Sequence, residues 1–258
     1  MAAPPRVAAW VAAAADGRVD VLHACSDTVH LDVGGRAVGV ASATAPGLPH
    51  ALRTNLATLS SGEVPTAYVE SGILHLGERA LVTGRLVDVR APRIDAARVP
   101  KTSPVSVQGI PRSSGAGLVA GTEPGSLVGV PAPAAMGSRV HAATVADLVG
   151  RGEGLTPLGD DVLSGWLIAH RAAGLATPDV DDAVRRALPR TTTLSATLLE
   201  CALAGECPDL VAGYLRALGT PSRGAARHAL AALGHSSGAG LAHGIGLAVR
   251  TIAGQVAA

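Results

Sequence analysis

Short runs of alternating apolar and polar residues occupy the first part of the chain. Thr28–Val33 alternates in this way, Gly34 and Gly35 are a hairpin signal, and residues 36–40 form the return strand. Further runs of this kind lie at 19–23, 73–76 and 80–89. The pattern predicts a small antiparallel sheet or barrel over residues 1–100, with a short helix at 51–59.

Proline, glycine and serine dominate residues 101–135, where the hydrophobic periodicity fades. Such a stretch is typical of a functional loop or a domain connection, so we place the domain boundary here. From residue 136 to residue 258 the apolar spacing is helical. The strongest apolar helices are predicted at 162–173, 194–204 and 238–256.

The predicted fold class is therefore α+β. An N-terminal antiparallel β-rich domain (1–100) is followed by the connection (101–135) and a C-terminal α-helical domain (136–258) with a glycine-rich central helix. Gly240 and Gly244 in that helix are spaced for close backbone contact with another helix. The same surface would suit a homodimer interface.

Composition narrows the classes of protein that fit. The 258 residues are 48% hydrophobic but include no Phe, two Trp and two Tyr, so Ala, Leu, Val and Gly must fill the core. The net charge is +1 without a basic block, which argues against a nucleic-acid partner. The uncharged run at 231–249 contains His, Ser and Gly, which favours a buried helix over a membrane span. The first fifteen residues lack a signal-peptide layout, so we expect a cytoplasmic protein.

Cysteine and histidine spacing gives no metal site. The three cysteines have no paired spacing, which indicates a reducing compartment and no structural zinc. The histidines of the N-terminal part share no metal-ligand spacing either, and we expect surface or sheet-face positions for them: His23, His30, His50 and His75.

Three glycine- or hydroxyl-rich stretches in the C-terminal part each open a helix. They are 152–161, 190–197 and 233–240. The first turn of a helix has unpaired N–H groups and a partial positive charge, which together suit an anion such as phosphate or carboxylate. We predict that the three stretches meet in one composite site for a small anionic substrate.

Two kinds of role are open for the residues of these stretches. Asp160 or Asp161 could be an N-cap, a general base or a magnesium ligand, and Mg²⁺ is the one cofactor considered. His235 could donate a proton or be a satisfied core histidine, and Asp160, Asp161 and His235 are the catalytic candidates. The threonines could be caps or hydroxyl donors to a ligand. The substrate-binding candidates are Gly154, Thr156, Gly159, Thr191, Thr192, Thr193, Ser195, Ser236, Ser237 and Gly238.

Taken in order, these stretches resemble the uncharacterised-domain family that contains the AllH subunit of bacterial oxamate carbamoyltransferase. The resemblance rests on residues 154–165 (GLTPLGDDVLSG) and is supported by 191–195 (TTTLS) and 233–238 (LGHSSG). It covers the C-terminal half, and the N-terminal half only by general layout. The family often has Ser where Leu158 stands and an aromatic residue where Val162 stands.

The resemblance implies a part in ureide catabolism, where oxalurate and phosphate are interconverted with oxamate and carbamoyl phosphate by an enzyme of several subunits. One hypothesis is a carbamoyltransferase-type enzyme or subunit that acts on a small ureido or carbamoyl anion. The alternative is a non-catalytic anion-binding or scaffold subunit with heteromeric partners. A third interpretation is a stand-alone enzyme of another pathway that reuses the pocket.

Overall fold

The structure is a computed structural model that describes residues 1–59, 64–95 and 140–255. Strands fill the N-terminal part and helices the C-terminal part, which confirms the α+β class. The connection predicted at 101–135 lies outside the described residues. The strands are β1 (Ala2–Ala3), β2 (Gly17–Arg18), β3 (Asp20–Ala24), β4 (Thr28–Val33), β5 (Arg36–Ala41), β6 (Ala51–Arg53), β7 (Ala67–Glu70), β8 (Ile73–Leu76), β9 (Arg79–Ala80) and β10 (Arg85–Leu86). The helices are α1 (Pro5–Ala12), α2 (Ala142–Leu148), α3 (Leu158–Ala172), α4 (Pro178–Ala187), α5 (Thr193–Leu203), α6 (Asp209–Ala217), α7 (Arg223–Ala231) and α8 (Ser237–Gln255), with a 3₁₀ turn at Leu188–Arg190.

Within the described residues the strands form two sheets. The larger has the order β10-β1-β6-β5-β4-β3, and the smaller has the order β2-β7-β8-β9. Pairing is antiparallel except between β5 and β6 and between β1 and β10, which run parallel. Gly34 and Gly35 form the predicted hairpin turn with φ values of +61° and +80°, a region that glycine enters without steric cost.

Residues 51–59, for which the sequence predicts a short helix, begin instead with strand β6. This strand pairs with β5 on one side and with β1, from the start of the chain, on the other. Leu52 is buried in the apolar cluster on one face of the larger sheet. The helix prediction is wrong because a three-residue strand leaves little local pattern, and its partners are distant in sequence.

Helices α3 and α8 pack so closely that their backbones touch. A Cβ atom on Gly244 of α8 would overlap the carbonyl oxygen of Val162, and one on Gly165 of α3 would overlap that of Leu241. The close contact expected of Gly244 is therefore present.

Among the described residues, none of the helices combines the length and the apolar character that crossing a bilayer requires.

Hydrogen bonds and an ion pair join the sheet to the helices. The N–H of Ala37 in β5 donates to the buried hydroxyl of Thr197 in α5 at 2.9 Å. The N–H of Cys207 donates to the carbonyl of Val89 at 2.8 Å. Arg6 of α1 pairs with Glu206 at 3.0 Å. The start of β5, helix α1 and the segment after β10 are thus held against α5 and the segment that follows it.

We expect Gly244→Ala to lower the free energy of unfolding by about 1–3 kcal/mol or more, because the added methyl group would overlap the backbone of α3. Chemical denaturation followed by circular dichroism measures this change. Gly254→Ala is the matched control in the same helix, since no described atom lies within 4 Å of the position that its methyl group would take. The control should be neutral or slightly stabilising, because Ala favours helix by up to about 1 kcal/mol over Gly. Equal effects of the two changes would contradict the close contact.

Candidate functional site

The three helix-opening stretches lie together, joined by threonine hydroxyls. The hydroxyls of Thr156 and Ser237 are 2.6 Å apart, which ties the glycine turn before α3 to the start of α8. Thr192 donates to the carbonyl of Leu155 at 2.6 Å, and this ties the same turn to the start of α5. The sequence pattern therefore located three segments that are neighbours in space.

The backbone N–H groups at these helix starts are largely used within the chain. Gly159 donates to the carbonyl of Arg151 at 2.9 Å, and Gly238 donates to that of Leu233 at 2.9 Å. Ser195 donates to the hydroxyl of Thr192, the N-cap of α5, at 3.1 Å. Gly159 also lies against α2, because a Cβ atom there would overlap the carbonyl oxygen of Leu148. These amides stabilise the junction of the helices and are not directed at an empty space.

Asp160 is a buried link between segments. It is 1% exposed, and its two carboxylate oxygens accept from the N–H of Gly150 at 2.9 Å and from the hydroxyl of Thr191 at 2.5 Å. Burial raises the pKa of Asp160 above its usual value, although these two hydrogen bonds act in the opposite direction. These two hydrogen bonds link the start of α3 to the segment after α2 and to the start of α5.

Asp161 is in a different environment. It is 5% exposed, and its Oδ2 atom is buried without a hydrogen-bond partner in the described part of the chain. Burial raises the pKa of Asp161 to about 8, with the Ser237 hydroxyl lowering it in part and the charge of Asp160 raising it further. The carboxyl group of Asp161 therefore keeps its proton at neutral pH.

Asp161 lines a cavity of about 250 Å³ between the helices and the larger sheet. One wall consists of Thr156, Asp161, Ser164 and Ser237 together with apolar residues of α3, α5 and α8. The facing wall comes from β4 and from the loop before β6. Within the described ranges, no Lys or Arg lines this cavity. It offers hydroxyls, the protonated carboxyl group of Asp161, two histidines and apolar surface, together with Glu206, which is paired with Arg6.

Two histidines, together with Thr28, form the polar part of the facing wall. Nε2 of His50 lies 3.2 Å from Nδ1 of His30, with the rings nearly parallel and their centroids 5.2 Å apart. Burial lowers the pKa of His30 to about 4 and that of His50 to about 3, and a neighbouring histidine lowers each further. Both rings are therefore neutral at neutral pH. The sequence predicts only surface or sheet-face positions for them, because nothing local shows that β4 and the loop before β6 converge.

The remaining predicted site residues lie outside this cavity. His235, Gly154 and Ser236 do not line it, and His235 and Gly154 are exposed. Thr193 is the first residue of α5, and its carbonyl accepts from the hydroxyl of Thr197 at 2.8 Å. The hydroxyl of Ser195 is buried beside Asp160 and lowers the pKa of that carboxyl group. In that same part of the chain, no group of three or more His, Cys, Asp or Glu side chains is arranged to hold a metal ion.

Residues 148–249 match the family model described as oxamate carbamoyltransferase subunit AllH. The match confirms the resemblance to this family over that stretch, which is less than half of the chain. It includes the glycine turn, α3 and the start of α8, but not the histidine wall of the cavity. Searches of curated proteins and of solved structures found no significant match.

We expect Asp161→Asn to flatten the dependence of stability on pH. In the unfolded chain the carboxyl group loses its proton near pH 4, whereas in the folded chain it keeps the proton to about pH 8. The folded state thus binds more protons between these values, and the wild type loses stability as pH rises through this window. The melting temperature of the variant, relative to wild type, should rise by several °C from about pH 4.5 to about pH 8.5, because 1 kcal/mol shifts Tm by about 2–4 °C at this size.

Differential scanning fluorimetry at steps across this pH range measures the effect. Asp182→Asn is the matched control, since its carboxylate is on the surface of α4 and pairs with Arg185. A constant difference between Asp161→Asn and wild type over the whole range would contradict the raised pKa.

Proposed function

We propose that the chain is a carbamoyltransferase-type subunit similar to AllH, and that its cavity binds the carbamoyl or ureido group of a small anion of the oxamate, oxalurate and carbamoyl phosphate class. The observation that carries this proposal is Asp161, a buried and protonated carboxyl group that lines a cavity within the matched stretch. Perturbed acids in cavities are frequent at functional sites.

The chemistry of this cavity is complementary to an uncharged amide. A protonated carboxyl group donates one hydrogen bond and accepts another, and a carbamoyl or ureido group presents a matching N–H and C=O pair. The hydroxyls of Thr156 and Ser237 add a donor and an acceptor beside Asp161. At about 250 Å³ the cavity suits a ligand of few heavy atoms.

Asp161 is also placed for proton transfer. A pKa of about 8 lies near neutral pH, where an acid can both give up and regain a proton. The nitrogen of an amide that attacks the carbamoyl carbon of carbamoyl phosphate must lose a proton as phosphate leaves. We assign acceptance of this proton to the ionised form of Asp161, which a pKa of about 8 makes the minor form at neutral pH. His235 has no part in the proposal because it is exposed outside the cavity.

A second candidate function is that of a ligand-binding subunit that depends on a partner for catalysis. It is favoured by the lack of cationic groups among the described residues around the cavity. Transfer reactions of phosphorylated compounds need donors or cations where negative charge develops, and no Lys or Arg of the described chain lines this space. A subunit of this design would bind the carbamoyl or ureido ligand, and a partner subunit would supply the remaining groups. The sheet domain is the candidate for contact with partner subunits or with a second copy of the chain, because the glycine-rich helix α8 is largely buried against α3.

The first test is a thermal-shift panel on the purified chain with oxamate, oxalurate, carbamoyl phosphate, phosphate and ATP, each with and without magnesium. Ligand binding to the native state should stabilise it by about 2.7 kcal/mol at roughly a hundred times the Kd. We expect the shift with the carbamoyl or ureido compounds to be lost in Asp161→Ala, which removes both the donor and the acceptor, and retained in the matched surface change Asp182→Ala.

A turnover assay then separates the two candidates. An active isolated chain supports the enzyme, and ligand binding without turnover supports the partner-dependent subunit. If no carbamoyl or ureido compound changes the melting temperature of the wild type, or if Asp161→Ala responds as the wild type does, the assignment of the ligand to this cavity is wrong.

A further inference from the structure

A second cavity, of about 170 Å³, lies over the larger sheet and is lined by two arginines, Arg53 and Arg85, and by two aspartates, Asp88 and Asp209. Its floor is formed by β5, β6, β1 and β10, and its sides by the loop at 47–48, residues 87–89 and the start of α6. Leu48 lines both cavities, so they are neighbours separated by this loop.

Strand register places the two arginines on one side of the floor. Ala2 of β1 is paired with Arg85 of β10 on one side and with Arg53 of β6 on the other. Directly paired residues on neighbouring strands have their side chains on the same face. Since neighbouring strands are about 4.8 Å apart, the Cα atoms of Arg53 and Arg85 are about 10 Å apart, with the small side chain of Ala2 between them.

The opposite face of these strands is buried in the apolar cluster of the sheet. Ala3 and Leu52, which alternate with the residues of the floor, belong to that cluster and are 0% and 1% exposed. Arg53 and Arg85 therefore lie on the side away from the apolar core. The small side chains of Ala2, Ala41 and Ala51 leave the space between them open.

The charges around this space leave one guanidinium group without a counter-ion among the described residues. Arg53 donates to the carbonyl of Ala45 at 2.6 Å and lies 3.7 Å from the exposed carboxylate of Asp209. Asp88 is paired with Arg90 at 3.0 Å. Arg85 makes no ion pair with any residue that the structure describes. Arginine recognises phosphate and carboxylate oxygens through paired N–H groups, and two arginines that face one space suit a small anion.

We propose that Arg53 and Arg85 bind a small phosphate-bearing anion over Ala2, in this second cavity. Arg53 is already held in place by the loop carbonyls, and Arg85 is free to turn toward the ligand. The proposal goes beyond the function assigned to the first cavity, because it depends on register and charge and not on what Asp161 binds. It also supplies a cationic site beside a cavity whose described lining has no Lys or Arg.

Isothermal titration calorimetry with inorganic phosphate at low ionic strength tests this proposal on the purified chain. We expect Arg85→Gln to weaken phosphate binding by roughly tenfold or more, since a charge-assisted hydrogen-bond donor is lost. Arg85→Glu should abolish binding. Arg79→Gln, which removes an exposed arginine from β9 of the smaller sheet, is the matched control and should bind as the wild type does. Carbamoyl phosphate and ATP, titrated in parallel, show which phosphate compound binds most tightly.

Asp161→Asn separates this proposal from the function assigned to the first cavity. Unchanged phosphate affinity in Asp161→Asn, together with the loss in Arg85→Gln, supports two distinct sites. The proposal is overturned if the wild type does not bind phosphate, if Arg85→Gln binds it equally well, or if binding is lost only in Asp161→Asn. Circular dichroism of each variant excludes loss of the fold. The change in the melting temperature of Arg85→Gln with oxamate or oxalurate tests the first cavity independently.

Discussion

The contact between the backbones of α3 and α8 is the constraint on which the site depends. A side chain at Gly165 or Gly244 would occupy the space that the neighbouring backbone fills, so glycine at these positions sets the distance between the helices. A Cβ atom on Gly240 would lie 2.7 Å from the Cβ of Asp161, so α8 covers this residue closely as well. The close approach of α3 and α8, which lets a core without Phe pack tightly, thus also shields the carboxyl group of Asp161 from water.

Removal of water gives the two adjacent aspartates different properties. Asp160 receives hydrogen bonds from Gly150 and Thr191, which compensate in part for its burial. Asp161 has a buried oxygen without such a donor in the described chain, and its pKa rises to about 8. Asp160 is therefore a structural link between segments, whereas Asp161, the next residue, is a carboxyl group that holds its proton. Their environments and not their chemistry make this difference.

The sequence was informative where the pattern was local and uninformative where it depended on strand pairing. Glycine and hydroxyl residues at the helix starts predicted three segments that are indeed neighbours, and the glycine spacing in the last helix predicted the contact of Gly244. The sequence did not show which of the N–H groups are already bonded, since Gly159 packs against α2. It also could not reveal that His30 and His50 meet, because their distance is fixed by the pairing of β4, β5 and β6. The same holds for Arg53 and Arg85, which the short strand β1 brings into one row.

A protonated Asp161 is hard to explain by stability alone. A buried carboxyl group with an unpaired oxygen costs free energy, and an apolar side chain in the same place would avoid that cost. A structural role for Asp161 in joining the segments is not needed either, because Asp160 and the threonines already connect them. The cost is compensated if a ligand in the adjoining cavity supplies the missing partner. A neutral amide does so without introducing a charge beside the neutral histidines. An anion at this position would meet no Lys or Arg of the described lining, which includes the acidic Glu206. Under the proposed function, the first cavity would therefore hold the uncharged end of the ligand, with any strongly charged group bound elsewhere.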